Sequence, residues 1–365
     1  MTALVRRAAL SVGLALALPD QALAQAIGSL PIAGPPADDS SVAVAKPRDA
    51  WQLQTIAIPE APVHIRSAGA VANLDTVAIE TRSGTLYALV DCVDGLCAEP
   101  IVNPRPLDPL PVGAVPGSQV GTGHHAIARA WLAEPAQRLE ATTLGGPVAG
   151  ALIVEDITAR SYRMDLPTSE AFEDRRPRLV DLGPDHPDTI LVVRSSVASG
   201  ATLAAVELTG EGLLKTLAET EPLGAPGAWL NPIGAADVTG SGQIDIALVQ
   251  SPDGDGRLQL LTYAGGTFHQ RTSLRNVSNH VPGSDIIDMA VIADFDGDGI
   301  ADIAVPDGER RHIRILTFRN GQVAEPANIA LAAPVVTEIV AMEPGAGKRP
   351  LLLMGLADGQ LVLLH

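Results

Sequence analysis

The chain has 365 residues, of which 46% are hydrophobic, 18% charged and 3% aromatic, with 35 Gly and 29 Pro; this composition fits a turn-rich globular protein and excludes a disordered or collagen-like one. Its 25 Lys and Arg against 42 Asp and Glu give a formal charge of −17, which repels nucleic-acid phosphates and anionic membrane surfaces. The length holds two or three ordinary domains or one large repeat architecture.

At the N-terminus, Arg6 and Arg7 precede an apolar run from Ala8 to Leu18, and Ala22-Leu23-Ala24 offers a small-x-small cleavage site before Gln25. That order is the pattern of a secretory signal peptide over residues 1–24. The run of 11 residues falls short of the ~20 that a membrane helix needs, and no later stretch reaches spanning length without a charge. The expected protein is therefore exported, to the periplasm or beyond the cell, and is not an integral membrane protein. Gly28-Ser29-Leu30-Pro31 and Pro35-Pro36 mark residues 25–50 as a Pro-rich flexible arm. Folded material begins near Trp51 and occupies residues 51–365.

Cys92 and Cys97 flank Val93-Asp94-Gly95-Leu96. Asp94-Gly95 is a tight-turn dipeptide that can bring two strands into register, and a disulfide across such a hairpin suits an oxidising compartment. Two buried free thiols are the alternative. Without matching His spacing the pair makes a poor zinc site.

Further along, the chain repeats itself. Leu258 to Gly266 lines up with Ile313 to Gly321 at an offset of 55, and a further 55 residues back lies Leu203 to Gly210. Each segment is a strand candidate running into a Gly or Asn-Gly turn and a second apolar stretch, which reads as a hairpin. Asp181, Asp237, Asp294 and Glu343 form a parallel series at intervals of 56, 57 and 49, each following a short apolar stretch. Thr76 to Ile79 with Ser83 to Tyr87, and the apolar segment Ala126 to Trp131, fall where earlier copies are due. No helical periodicity exceeds two turns, so the unit is a small antiparallel sheet. Such sheets repeated around an axis form a β-propeller, an all-β fold that protects their edges. Six blades fit the spacing, seven are the alternative, and tandem β-sandwiches are the architectural rival. The final unit has only two strands, and Leu53 to Ile58 is positioned to complete it and close the ring.

The sharpest motif is Asp294-Phe295-Asp296-Gly297-Asp298-Gly299-Ile300-Ala301-Asp302. Its carboxylates alternate at positions 1, 3 and 5 and return at position 9, while two glycines permit the backbone to curl. Calcium takes six to eight oxygens at flexible geometry; Asp294, Asp296, Asp298, the Ile300 carbonyl and Asp302 supply a suitable set. An EF-hand is excluded, because its position 12 needs an acid and here holds Val305, and because Met289 to Ala293 and Ile303 to Val305 read as strands. The preceding copy, Asp237-Val238-Thr239-Gly240-Ser241-Gly242-Gln243-Ile244-Asp245, keeps oxygens at Asp237, Thr239, Ser241, Gln243 and Asp245 but only two charges, and so reads as a weaker site or a self-satisfied turn. The Asp181 copy loses the third-position oxygen and the glycines at positions 4 and 6, the Glu343 copy has no further acid in its loop, and both read as structural turns.

The nine-residue loop with its strand flanks resembles the FG-GAP or VCBS repeats of bacterial surface proteins and integrin-type propellers, over roughly residues 175–365. The resemblance implies calcium ligation by Asp294, Asp296, Asp298, the Ile300 carbonyl and Asp302. In a binding module the ion is expected to be structural, locking the turn between two strands and holding blades in register.

No His-Glu-x-x-His, Gly-x-Ser-x-Gly or phosphate-binding glycine loop is present, and no catalytic residue can be named. Adjacent His124 and His125 would point to opposite faces of a strand. Trp229 lies just before the strand feeding the Asp237 loop, where packing is the expected role. The reading is an exported calcium-binding propeller that binds or scaffolds a protein or cell-envelope partner. An enzyme at the mouth of the propeller channel and a carbohydrate-binding surface are the alternatives; 3 Trp, 3 Tyr and 4 Phe speak against the latter.

Overall fold

The computed structural model describes residues 50–365 apart from 72–73, 94, 103–109, 141, 320 and 344–347. The expected signal peptide, nearly all of the arm and the core of the Glu343 loop lie outside the described residues. Among the described residues the regular structure is β-strand and no helix occurs, in line with the missing helical periodicity. Among these residues no helix is long and apolar enough to cross a membrane.

The strands form antiparallel sheets in chain order. The first sheet contains Pro62–Val71, Leu74–Thr81, Leu86–Cys92 and Gly95–Pro100. The second is nine-stranded and consists of two successive meanders. One runs Gly121–Thr122, Ile127–Ala136, Val148–Asp156, Ser161–Asp165, and the other Arg178–Val180, Thr189–Ser196, Gly200–Leu208, Leu214–Glu219. Glu170–Phe172 pairs with both and joins them. The third sheet holds Leu230–Ala236, Asp245–Gln250, Arg257–Ala264 and Thr267–Arg275, and the fourth Val291–Ala293, Asp302–Pro306, His312–Arg319 and Gln322–Ala330. The hairpins expected at the 55-residue offset are the outer pairs of strands in these last two sheets. The fifth sheet combines Val340–Met342, Leu351–Gly355 and Leu361–Leu364 with the N-terminal strand Leu53–Ile56.

Why the second strand of the last four repeats carries an unbroken apolar run follows from what covers it. Residues 190–193, 246–249, 303–305 and 352–354 are buried along their length. Side chains alternate across a strand, and here both faces meet apolar neighbours. Ile246 and Leu248 pack against Leu191 and Val193 of the second sheet, while Ala247 and Val249 pack against Ile303 and Val305 of the fourth. Ala304 then joins Leu352 and Met354, and Leu353 joins Ile65, Val77 and Ile79 of the first sheet. First and last sheets are thus packed together. A strand with only one buried face would alternate apolar with polar; these cannot.

The same two sheets are linked by the N-terminal strand and by polar contacts. Leu53 pairs with Leu364 and Ile56 with Leu361, and Gln52 exchanges both backbone hydrogen bonds with His365. Glu338, preceding the fifth sheet, accepts the backbone N–H of Ile65 at 2.9 Å and contacts His64 Nδ1 at 3.0 Å.

The stretch between the third and fourth sheets, residues 276–290, runs among the connecting segments of the others. Asn279 and Asn231 bond reciprocally, each side-chain amide donating to the other's backbone carbonyl, and Asn231 also donates to the Ile287 carbonyl. Asp288 pairs with Arg176 at 2.8 Å and its carbonyl accepts the Ile339 N–H. Buried His280 sits against the Trp229 ring and within 2.9 Å of Asp253. Asn231, Asn279 and His280 are buried and need such partners, so the stretch is fixed by polar chemistry where its sequence carries little apolar periodicity.

Two outcomes follow from the link between first and last sheets. Ile56→Ala removes a buried side chain from the core they share and should cost ~2–5 kcal/mol in urea unfolding; an unchanged midpoint would mean that the N-terminal strand is dispensable. The hydrogen bond to Glu338 raises the pKa of His64, against burial and Arg66, with Asp285 adding to the rise. The stability this gives is complete below the unfolded value of about 6.5 and is lost as pH climbs through the raised folded value. Glu338→Gln should flatten the pH–stability curve from about pH 6.5 upward, and a retained slope there would exclude the pair as its source.

Candidate metal centre

Residues 294–302 connect the first two strands of the fourth sheet, whose last ladder pair is Ala293 with Asp302. Phe295 anchors the loop by turning into the core, 2% exposed, with its ring 6.1 Å from Trp51. Asp294 shapes the remainder. Its carboxylate accepts the backbone N–H groups of Gly297 at 2.7 Å, Asp298 at 3.2 Å and Gly299 at 2.8 Å. Asp296 accepts the Asp298 N–H and Asp298 the Ile300 N–H. Gly299 adopts φ +85°, a left-handed conformation that a side chain disfavours.

The curl brings carboxylate oxygens of Asp294, Asp296 and Asp298 all within 4.8 Å of one another. Three hard anionic oxygens at this spacing match the donor chemistry of a calcium ion, which binds oxygens at 2.3–2.6 Å. The other two expected ligands face a different partner. Arg319, at the end of the third strand of the sheet, donates from Nη2 to the Ile300 carbonyl at 3.1 Å and to Asp302 at 2.9 Å. It also binds both oxygens of Asp298, at 3.0 Å from Nε and 3.0 Å from Nη2.

Electrostatics divide the carboxylates. Asp302 is fully buried, and burial together with the charge of Asp296 pushes its pKa up to about 7 against the pull of Arg319 and the Phe295 N–H. Burial also works against the charge on Asp298, but the Arg319 and Ile300 hydrogen bonds outweigh it and hold its pKa below the usual range. One guanidinium therefore leaves the buried carboxylate short of positive charge.

The Asp237 loop occupies the same place in the third sheet, closed by the pair Ala236 and Asp245. Its oxygens are bonded to one another. Thr239 Oγ1 lies 3.4 Å from Asp237, 2.9 Å from Ser241 and 3.0 Å from Asp245. Asp237 accepts the Ser241 and Gly242 N–H groups, buried Asp245 accepts the Thr262 hydroxyl, and Gln243 accepts Arg271. The two loops touch. A Cβ on Gly240 would stand 2.6 Å from Ile300 Cδ1, and Arg319 Nη1 donates to the Val238 carbonyl at 2.9 Å.

Elsewhere, Cys92 and Cys97 are bonded across the hairpin of the first sheet. Asp181 caps a turn by accepting the Gly183 N–H. His124 and His125 are exposed. Trp229 is buried and donates to the Glu173 carbonyl, a packing role. Sequence inspection missed Arg319. The signal was present in the repeat alignment, where Arg319 falls opposite Ala264, an unmatched charge beside an acidic loop.

Four-stranded antiparallel sheets in sequence, each contributing a turn between its inner strands, define a propeller-like all-β repeat protein. The family model described as an FG-GAP-like repeat matches residues 237–305, from the first acidic loop through the strand after the second, so this segment is similar to that repeat. No curated protein matches the sequence. Among solved structures, a chain in a Saccharomyces cerevisiae assembly of a Dbp5 variant with Nup159, a Gle1 variant, IP6 and ADP is 12% identical with a TM-score of 0.38. That alignment covers 84% of this chain and 76% of the other.

Since a Cβ on Gly299 would meet nothing within 4 Å, Gly299→Ala tests the backbone alone. It should cost ~1–2 kcal/mol through the left-handed conformation, read by urea unfolding. Full stability in that variant would show that the loop relaxes to another turn.

Proposed function

We propose that this chain is an exported binding module, a six-bladed β-propeller closed by the strand Leu53–Ile56, in which a structural calcium ion sits at the Asp294 loop. The observation that carries the reading is the convergence of Asp294, Asp296 and Asp298 oxygens within 4.8 Å on a loop between two strands. Like charges so close repel, and the raised pKa of Asp302 marks a site that would gain from a further cation.

Six blades correspond to the four four-stranded sheets and the two meanders within the nine-stranded one. The shared core of first and last sheets supports closure. In this arrangement residues 276–290, with bonds to Asn231, Arg176 and Ile339, lie toward the middle of the ring. Recognition then falls to the exposed loops and outer faces, and the partner is a protein or envelope component. The Cys92–Cys97 bond and the FG-GAP repeat both suit an exported protein.

The ion would be held by Asp294, Asp296 and Asp298 and would supply positive charge that pins the turn. In the Asp237 loop the hydroxyl network already satisfies the oxygens, so that loop is a hydrogen-bonded turn. Calcium at 100 times its dissociation constant should add ~2.7 kcal/mol of stability, seen as a higher melting temperature than in chelator. Asp294→Ala should abolish that increment. Equal melting temperatures of the wild-type protein with calcium and with chelator would defeat the calcium assignment.

A further inference from the structure

Arg319 bonds directly to two carboxylates of the Asp294 loop, whereas Arg271 meets the Asp237 loop through the Gln243 amide. The Arg319 Nη2 is within 3.1 Å of Asp298 Oδ1, the Ile300 carbonyl and Asp302 Oδ1, so that three of the five oxygens of the expected ligand set converge on one nitrogen. Its Nε and Nη1 hold Asp298 Oδ2 and the Val238 carbonyl of the neighbouring loop. A guanidinium fork matches a carboxylate in two directions at once and stays charged at all relevant pH values.

The preceding repeat offers an internal comparison. There the equivalent position is Ala264, the loop has two acids in place of four, and Thr239 and Thr262 satisfy Asp245. Arg271, on the last strand of that sheet, reaches the loop only at Gln243, so the loop with the excess of negative charge is the one whose carboxylates are bonded directly to a guanidinium.

We propose that Arg319 is a resident cation that withholds Asp302 and the Ile300 carbonyl from any divalent ion, so that this side chain sets the affinity of the Asp294 loop. An ion binding the native chain is left with Asp294, Asp296 and a shared Asp298, beside a fixed positive charge. The proposal rests on the calcium reading above in its native form, yet it can stand or fall separately. Removing the guanidinium frees two more oxygens and one negative charge, and affinity rises with both.

Calcium titration by calorimetry of the wild-type protein, Arg319→Gln, Asp302→Asn and the double variant tests it, with melting temperatures read in calcium and in chelator. Arg319→Gln should melt lower than wild type in chelator, having lost the bond to Val238, but bind calcium at least ten-fold tighter. A merely structural role for Arg319 would lower stability without tightening calcium. Asp302→Asn should leave wild-type affinity unchanged or improved, and should erase the gain when combined with Arg319→Gln. Calcium binding to Arg319→Gln alone, with none to wild type, would support the proposal and refute native calcium binding. Equal or weaker binding by Arg319→Gln overturns the proposal and leaves native calcium binding intact. If Arg319→Gln does not fold, a ten-fold loss of affinity in Asp302→Asn overturns it, and unchanged affinity supports it. Absence of binding by both wild type and a folded Arg319→Gln refutes both readings.

Discussion

The burial of both faces of the second strand in successive repeats governs this structure. Ile246 and Leu248 are satisfied by one neighbouring sheet, Ala247 and Val249 by the other. A lone four-stranded sheet with such strands would expose an apolar face to water, so each repeat requires a neighbour on both sides. The requirement passes from sheet to sheet, and ends with the first sheet packed on the last through Ile65, Ile79, Leu353 and Leu363. An N-terminal strand in the final sheet then secures a junction that apolar packing had already made favourable.

With the sheets held this way, the turns between their inner strands come close together, and charge becomes the local problem. The two acidic loops touch at Gly240 and Ile300. One sets threonine hydroxyls against buried Asp245, the other the Arg319 guanidinium against Asp298 and Asp302. Burial leaves both incomplete, raising the pKa of Asp245 as well. Asp302 sits where water cannot screen it, Asp296 adds a second negative charge nearby, and a single guanidinium does not restore an ordinary carboxylate pKa. Metal binding at this loop is therefore a question of how much positive charge the protein already provides, as well as of how many oxygens converge.

Polar contacts also fix the connecting stretch at residues 276–290. Asn279, Asp288 and His280 each find partners on other segments, and Arg178 binds Asp174 and Asn231 in buried surroundings. Buried networks of this kind add less to net stability than to uniqueness, since any misplaced member leaves a desolvated group unpaired. They hold a long irregular segment in one conformation while the flanking strands keep their register.

The sequence alone determined the all-β class, the repeat unit and the acidic loop. Ile303 to Val305 and its counterparts repeat at nearly constant spacing, and the alternating aspartates with their glycines admit few backbone shapes. The N-terminal strand was legible too, because the last repeat lacked a partner for Leu361 to Leu364. What only the tertiary structure decided was how the loop's oxygens are shared. Ile300 and Asp302 belong by spacing to the same set as Asp294, yet they face Arg319, which lies 17 residues beyond Asp302 on another strand. Hydrogen-bond partners across a sheet and between neighbouring sheets depend on register and on burial, and neither is written in the spacing of a single loop.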